Sequence, residues 1–192
     1  MLIKFWNLKI KGFPISMFIM IKVLFNKLIE LINSYLWSFN LGKCGVNCVI
    51  QKGVTIRYPR NINFGHNISI GRNVEIFSEC NTGKLIIGSN SNINKNTQID
   101  FTGNLTIGDN VLISETSVII THDHGYHPES KPIRKSLSIE DNVWIGQNVM
   151  ILSNVRKIGK NAIIAAGSIV TKEVLSNTII GGNPASLIKK IN

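Results

Sequence analysis

From about residue 50 onward, aliphatic residues recur every six positions. Ile50, Ile56, Ile62, Ile68 and Val74 form one ladder, and Ile87, Ile93 and Ile99 form a second. Ile107, Ile113 and Ile119 follow, then Ile139, Ile145 and Ile151, then Ile158, Ile164 and Val170. Aliphatic–glycine pairs mark the same rhythm at Ile70-Gly71, Ile87-Gly88, Ile107-Gly108, Ile145-Gly146, Ile158-Gly159 and Ile180-Gly181. Four residues after the aliphatic there is usually a small or β-branched residue, as at Val74, Ser91, Thr97, Val111, Ser117, Val149, Ala162 and Ser168. A period of six matches neither the 3.6-residue turn of a helix nor the alternation of a hairpin sandwich. It predicts a parallel β-helix, an all-β solenoid in which each hexad is a short strand plus a turn. One apolar side chain per hexad points to the axis and stacks on its equivalent one coil away. About seven coils fit between residues 44 and 182 at that repeat length.

The first forty residues follow a different period. Phe18, Ile21, Phe25, Leu28, Ile32, Tyr35 and Phe39 alternate spacings of three and four, the a/d stripe of three heptads. Lys22, Asn26, Glu30 and Asn33 fall on another face, while Met17, Met20, Leu24 and Leu31 widen the stripe. This predicts an N-terminal amphipathic α-helix. The stripe can be covered by the rest of its own chain, by sister subunits, or by an anionic membrane favoured by Lys4, Trp6, Lys9 and Lys11. A signal peptide is not expected, because Lys22 breaks the apolar run and no small-residue cleavage site follows. A membrane span is not expected either, because Lys22, Asn26, Lys27, Glu30 and Asn33 interrupt the stretch. The expected organisation is a helical segment over 1–42 and a β-helix over 43–192, with a loop inserted at 121–138 and a short C-terminal helix.

Composition agrees with a β-rich fold. The 33 isoleucines favour pleated structure and the 23 asparagines favour turns, since Asn tolerates left-handed backbone. Charged residues are only 17% of the chain, which argues against broad disorder. Of the net charge of +10, residues 1–60 carry +8, with nine Lys or Arg against Glu30 alone. That asymmetry points to an anionic surface or ligand nearby. No zinc-finger, RNA-binding aromatic or basic-zipper signature accompanies it, so a nucleic-acid partner is not expected. Three cysteines, Cys44, Cys48 and Cys80, make an odd count without a CxxC, which fits a reducing cytoplasm better than a disulfide framework.

One string is more specific than the hexads. Ile107-Gly108-Asp109-Asn110-Val111 is followed by a histidine-containing loop, then Asp141-Asn142-Val143-Trp144-Ile145-Gly146, Ala166-Gly167-Ser168-Ile169-Val170-Thr171-Lys172 and Gly182-Asn183-Pro184-Ala185. Over residues 44–192 this resembles the hexapeptide-repeat acyltransferases. The likeness extends to the galactoside and maltose O-acetyltransferases and to the O-acetyltransferases of capsule and lipopolysaccharide synthesis. The resemblance implies a left-handed β-helix, a homotrimer, acetyl-coenzyme A as acyl donor and a saccharide hydroxyl as acceptor. Peripheral contact with the inner face of the membrane is a further expectation. Acetylation of an antibiotic, N-acetylation of an aminosugar and a purely scaffolding solenoid are the alternatives.

Hexads stop after Ile119 and resume at Ile139, and the interruption holds three of the four histidines, His122, His124 and His127. A loop inserted into a regular solenoid does not serve the core. Imidazole has the right pKa to take a hydroxyl proton near neutral pH. Counting without a gap from Ile107 places the family's histidine on His124, with His122 as the alternative or as an orienting neighbour. Asp123 and Glu129 are candidate carboxylate orienters. His122 and His127, five apart, resemble a metal pair of the carbonic anhydrases on this fold. The third histidine of those enzymes has no counterpart here, and no metal is expected.

The resemblance also assigns donor and acceptor positions. Coenzyme contacts fall on Trp144, Gln147, Ala166, Thr171, Lys172 and Lys189. Ser186 replaces a residue that is often basic, and Arg156-Lys157 lengthens one turn. The acceptor-binding amide falls on Asn94, with Asp100 one hexad later.

Overall fold

The computed structural model describes residues 13–127 and 129–191. Lys4, Trp6, Lys9 and Lys11, named above as membrane-favouring, lie outside the described residues, as does Pro128 of the loop. One helix, α1 (Phe13–Asn40), precedes a solenoid of short parallel strands. The strands stack into three faces. The first face carries six strands from Lys43–Cys44 to Lys157–Ile158, and the third carries six from Thr55–Ile56 to Ile169–Val170. The second face carries eight, from Val49–Ile50 to Ala185–Lys190. Pairing joins like positions one coil apart, such as Leu112 to Asn92 and Trp144, and Ile113 to Ile93 and Ile145.

This register explains the hexads. Ile50, Ile70, Ile93, Ile113, Ile145 and Ile164 are one buried column, because each is the inward residue of the second face in its own coil. The residues four positions on, Val74, Ser91, Thr97, Val111, Ser117, Val149, Ala162 and Ser168, are buried as well. Each coil therefore contributes residues to the core both from strands and from corners. The buried hydroxyls are satisfied: Ser117 Oγ donates to the Gly146 carbonyl at 3.0 Å, and Ser91 Oγ to the Gly108 carbonyl at 2.9 Å. Among the described residues no buried side-chain nitrogen or oxygen lacks a partner.

Asparagine makes the corner between the first and second faces. Asn47, Asn67, Asn90, Asn110, Asn142, Asn161 and Asn177 all have positive φ. Most L residues resist that backbone, whereas Asn accepts it. Their amides bond coil to coil, Asn110 to Asn142 at 3.1 Å, Asn142 to Asn161 at 3.0 Å and Asn161 to Asn177 at 2.7 Å.

α1 lies against the open end of this stack with its polar side inward. In the first coil, Val49 and Gln51 donate their N–H groups to the second coil, so the backbone of Ile50 faces outward along an unpaired edge. Ser34 Oγ accepts the Ile50 N–H at 2.8 Å, and Asn33 Nδ2 donates to the carbonyls of Ile50 and Gln51 at 2.8 and 2.9 Å. Two helix side chains thus replace the missing coil, as an exposed strand edge requires. Arg72 pairs with Glu30 at 3.2 Å, and Trp37 packs on the core. The predicted stripe is left outside: Phe18, Ile21, Phe25, Leu28, Ile32, Tyr35 and Phe39 are all exposed. The solenoid of this chain does not cover it. No helix among the described residues is long and apolar enough to cross a membrane.

The C-terminal helix expected from the sequence is not formed. Ala185–Lys190 is a strand that reverses onto Thr178–Gly182 in antiparallel pairing. The last strand of the second face offers a free row of N–H and C=O groups, and pairing with them outweighs a helix of one or two turns, which is marginal by itself. The three cysteines are free thiols.

Candidate active site

After Val118–Ile119 the chain leaves the solenoid at the corner between the third and first faces. It runs out through His122–Asp123, returns through Ile133–Arg134 in antiparallel pairing, and rejoins the first face at Leu137–Ile139. Lys135 N–H closes the neck on the Thr121 carbonyl at 2.8 Å. Arg134 ties the hairpin to the two coils below, donating to the Thr102 carbonyl at 2.7 Å and to Thr82 Oγ1 at 3.0 Å.

Asp100 sits at the root of this loop and is wholly buried. Its Oδ1 accepts from the Thr102 N–H at 2.9 Å and the Thr102 hydroxyl at 2.5 Å. Its Oδ2 accepts from the Thr121 N–H at 2.6 Å, the Thr121 hydroxyl at 2.9 Å and His122 Nδ1 at 2.7 Å. Burial by itself would raise the carboxyl pKa. The bonds from Thr102, His122 and Thr121 outweigh it and hold the pKa below the ordinary value. The expectation that Asp100 meets an acceptor is therefore corrected: no part of its carboxylate reaches the surface, and its free direction is taken by the imidazole. A carboxylate on Nδ1 fixes the tautomer and leaves Nε2 as the acceptor.

His124 is held in a parallel way. Its Nδ1 lies 2.7 Å from the Ser130 carbonyl, and Ser130 Oγ donates back to the His124 carbonyl at 2.5 Å. The Ser130 carbonyl, aided by Glu79, raises the pKa of His124 against the opposing effect of burial. The two rings meet edge to face with centroids 5.2 Å apart. Both Nε2 atoms point at Glu79, which reaches up from the corner two coils below the loop: Oε1 is 3.3 Å from His122 and Oε2 is 3.2 Å from His124. The sequence reading missed Glu79. The available signal was the long step between Val74 and Ile87, which marks an extended corner two coils before the loop.

The candidate orienter Asp123 is engaged elsewhere, by Lys135 at 2.5 Å, the Gly125 N–H at 3.0 Å and Ser153 Oγ at 3.3 Å. Lys135 and Gly125 hold its pKa low. Glu129 and His127 are exposed.

The donor positions fall into two groups. Trp144, Gln147 and Ala166 line one groove of about 450 Å³, together with Ser114, Glu115, Gly146 and Ala165. This groove follows the corner between the second and third faces. Trp144 Nε1 donates to Ser114 Oγ across it at 3.3 Å. Asn94 lies on that same corner, in register with Ser114 one coil up, and is not beside the histidines. Thr171, Lys172 and Lys189 do not line the groove. Thr171 accepts the Asn154 amide through its carbonyl, and Lys189 pairs with Ile179 at the terminal edge. Within one chain the histidine cluster and the groove thus occupy different corners.

The bacterial transferase hexapeptide (six repeats) family matches residues 137–172. The chain is 40% identical over 113 residues to a galactoside O-acetyltransferase of Escherichia coli (strain K12), covering 55% of this chain and 54% of that protein. It is 36% identical over 156 residues to a galactoside O-acetyltransferase of Lactococcus lactis, covering 77% of this chain and 62% of that one. The chain thus spans less than two thirds of the length of either galactoside enzyme. WbbJ of E. coli (strain K12), provisionally named a lipopolysaccharide biosynthesis O-acetyl transferase, is 30% identical over 160 residues, 76% of this chain and 81% of WbbJ. The chain belongs to the hexapeptide-repeat acyltransferases. A hexapeptide-repeat acetyltransferase of Vibrio cholerae, solved in complex with acetyl-coenzyme A, superposes with a TM-score of 0.62 at 27% identity, over 85% of this chain and 78% of that one. This likeness bears out the left-handed parallel β-helix.

Proposed function

We propose that the chain transfers an acetyl group from acetyl-coenzyme A to a saccharide hydroxyl, in the assembly of a surface polysaccharide. The observation that carries this reading is the pairing of His122 with the buried Asp100 at 2.7 Å. In the proposed step the acceptor hydroxyl gives its proton to imidazole Nε2 as its oxygen attacks the thioester carbonyl. The tetrahedral intermediate collapses with cleavage of the carbon–sulfur bond, and the imidazolium returns the proton to the leaving thiolate. Asp100 keeps the ring in the productive tautomer and stabilises the imidazolium, the role of the acid in an Asp–His pair. Backbone N–H groups stabilise the oxyanion.

A second reading assigns the proton to His124. It is favoured by that ring's greater exposure, 29% against 10% for His122, and by the family count. Trp144, Gln147 and Ala166 hold the pantetheine arm in this proposal. Thr171, Lys172 and Lys189 are left to the phosphates, and Asn94 to the acceptor.

The chain acts as a homotrimer in this proposal. A site divided between two corners of one chain is completed when the groove of one subunit meets the histidine corner of the next. The exposed stripe of α1, with Lys22 and Lys27 beside it, supports a peripheral seat on the inner face of an anionic membrane. The test is thiol release from acetyl-coenzyme A across a panel of free, nucleotide-linked and lipid-linked sugars, with an aminosugar nucleotide and an antibiotic acceptor included. Release confined to hydroxyl acceptors supports the proposal. Release only with an amine acceptor replaces it.

A further inference from the structure

Glu79, His122 and His124 form a group of three with the shape of a cation site. Their ligand atoms all lie within 4.8 Å of one another, and this is the only such group of His, Cys, Asp and Glu among the described residues. Glu79 Oε1 stands 3.3 Å from His122 Nε2 and Oε2 stands 3.2 Å from His124 Nε2, so each carboxylate oxygen lies at the ligand-to-ligand spacing of a tetrahedron from one ring. Two ligands bound at about 2.0–2.1 Å in tetrahedral geometry stand roughly 3.3 Å apart.

The arrangement behind the ligands fits as well. A metal-binding histidine ordinarily gives its second ring nitrogen to a carboxylate or carbonyl, which fixes the ring and strengthens the ligand. Both histidines do so here, His122 through Asp100 and His124 through the Ser130 carbonyl. Their Nε2 lone pairs are thereby turned to the same point. The support is stiff, because Asp100 is buried and fully bonded, and the Glu79 N–H is anchored on Thr102 Oγ1 at 2.9 Å. Two imidazoles and one carboxylate suit zinc, cobalt or ferrous iron, and suit magnesium or calcium poorly.

We propose that Glu79, His122 and His124 bind one divalent transition-metal cation of the zinc class, and that the bound ion silences acyl transfer. The ion takes the imidazole lone pairs that would accept the acceptor proton. It is an inhibitor and not a cofactor. The inhibitory half of this proposal rests on the acyl-transfer reading above, whereas the binding half does not.

The experiment uses the full chain freed of metal. Cobalt(II) is titrated in while its visible absorption is followed, zinc(II) is titrated calorimetrically, and thiol release is measured in parallel. The expected result is one ion per chain with a tetrahedral cobalt spectrum that zinc displaces. Glu79→Gln and His124→Gln should each weaken binding at least tenfold, the lower end of the loss seen even for outer-shell partners. His122→Ala should do the same, with circular dichroism confirming its fold. His66→Ala, away from the cluster, should bind as the parent does. Thiol release should fall with the same zinc midpoint and return on chelation. Absence of binding, or binding indifferent to Glu79→Gln and His124→Gln, overturns the site. Full transfer at saturating zinc overturns the inhibition. A chain that binds the ion but acetylates no acceptor refutes the acyl-transfer reading and leaves the site standing.

Discussion

Where the first face turns into the second, nearly every coil spends the corner on an asparagine with positive φ, and the amides bond to one another up the stack. Where the third face returns to the first, the same coils carry Asp100, Glu79 and the hairpin that holds His122 and His124. The first corner is uniform because each coil repeats the same left-handed asparagine and the same amide contact with its neighbour. The second is irregular because its residues are held by partners from other coils, Thr121 to Asp100 and Arg134 to Thr82. Regularity marks the corner that builds the molecule, and departure from it marks the corner available for chemistry.

The sharpest attempt to break that division is Asp100→Asn. Because Asp100 sets the tautomer of His122, acetyl transfer should fall about 10⁴-fold, as in other Asp–His pairs. Single-turnover thiol release on protein with intact circular dichroism measures it, and an unchanged rate would reduce Asp100 to a loop anchor. The histidines come next. The one that takes the proton should cost about 10²–10⁴ in kcat when changed to alanine. The pH profile separates them. Interactions with Ser130 and Glu79 raise the His124 pKa above its ordinary 6.5. An acid limb displaced above 6.5 that disappears in the active remnant of His124→Ala assigns the proton to His124, whereas a limb that survives assigns it to His122.

A change in the core should damage stability and spare the chemistry of the folded fraction. Ile113→Ala removes a wholly buried side chain from the column and should cost about 2–5 kcal/mol in denaturant unfolding. The smallest effect belongs to the regular corner. Asn142→Ala keeps a β-carbon in left-handed backbone but removes the amide that makes Asn tolerant of it, at a cost of roughly 1–2 kcal/mol, whereas Asn142→Gly loses the same amide contacts without the strain and should cost less. Neither should alter kcat. Acid unfolding gives a further test of Asp100. Its folded pKa lies below the ordinary 3.8, so its contribution to stability is complete above 3.8 and is lost as pH falls through the depressed value. In Asp100→Asn that part of the acid dependence should vanish.

The solenoid was legible because its column repeats at fixed spacing, and each Ile in a ladder has the same neighbours above and below. The histidine loop was legible as a break in that repeat. Glu79 was not, because its approach to His122 depends on how far one corner bulges and on which coil lies beneath. Asp100 was visible as an acid near the loop but misassigned in direction, since spacing carries no statement of burial. The apolar stripe of α1 announced a face that wants cover and not the identity of the cover. Asn33 and Ser34 decided the orientation, because an unpaired strand edge outbids apolar contacts for the same helix. The C-terminal residues were misread for the same reason at the other end of the second face.

Those two closures also govern size. A stack of identical coils has no natural last member, since each new coil presents the backbone row on which another can form. On the second face, Asn33 and Ser34 terminate the row at one end and Ala185–Lys190 terminate it at the other. On that face a further parallel coil would meet helix side chains at one end and a reversed strand at the other. Because the stops lie at the extremities, a whole coil could be gained or lost between them while both continue to fit. The molecule is in this sense a ruler whose length is set by its end pieces, and whose middle can be recut without remaking them.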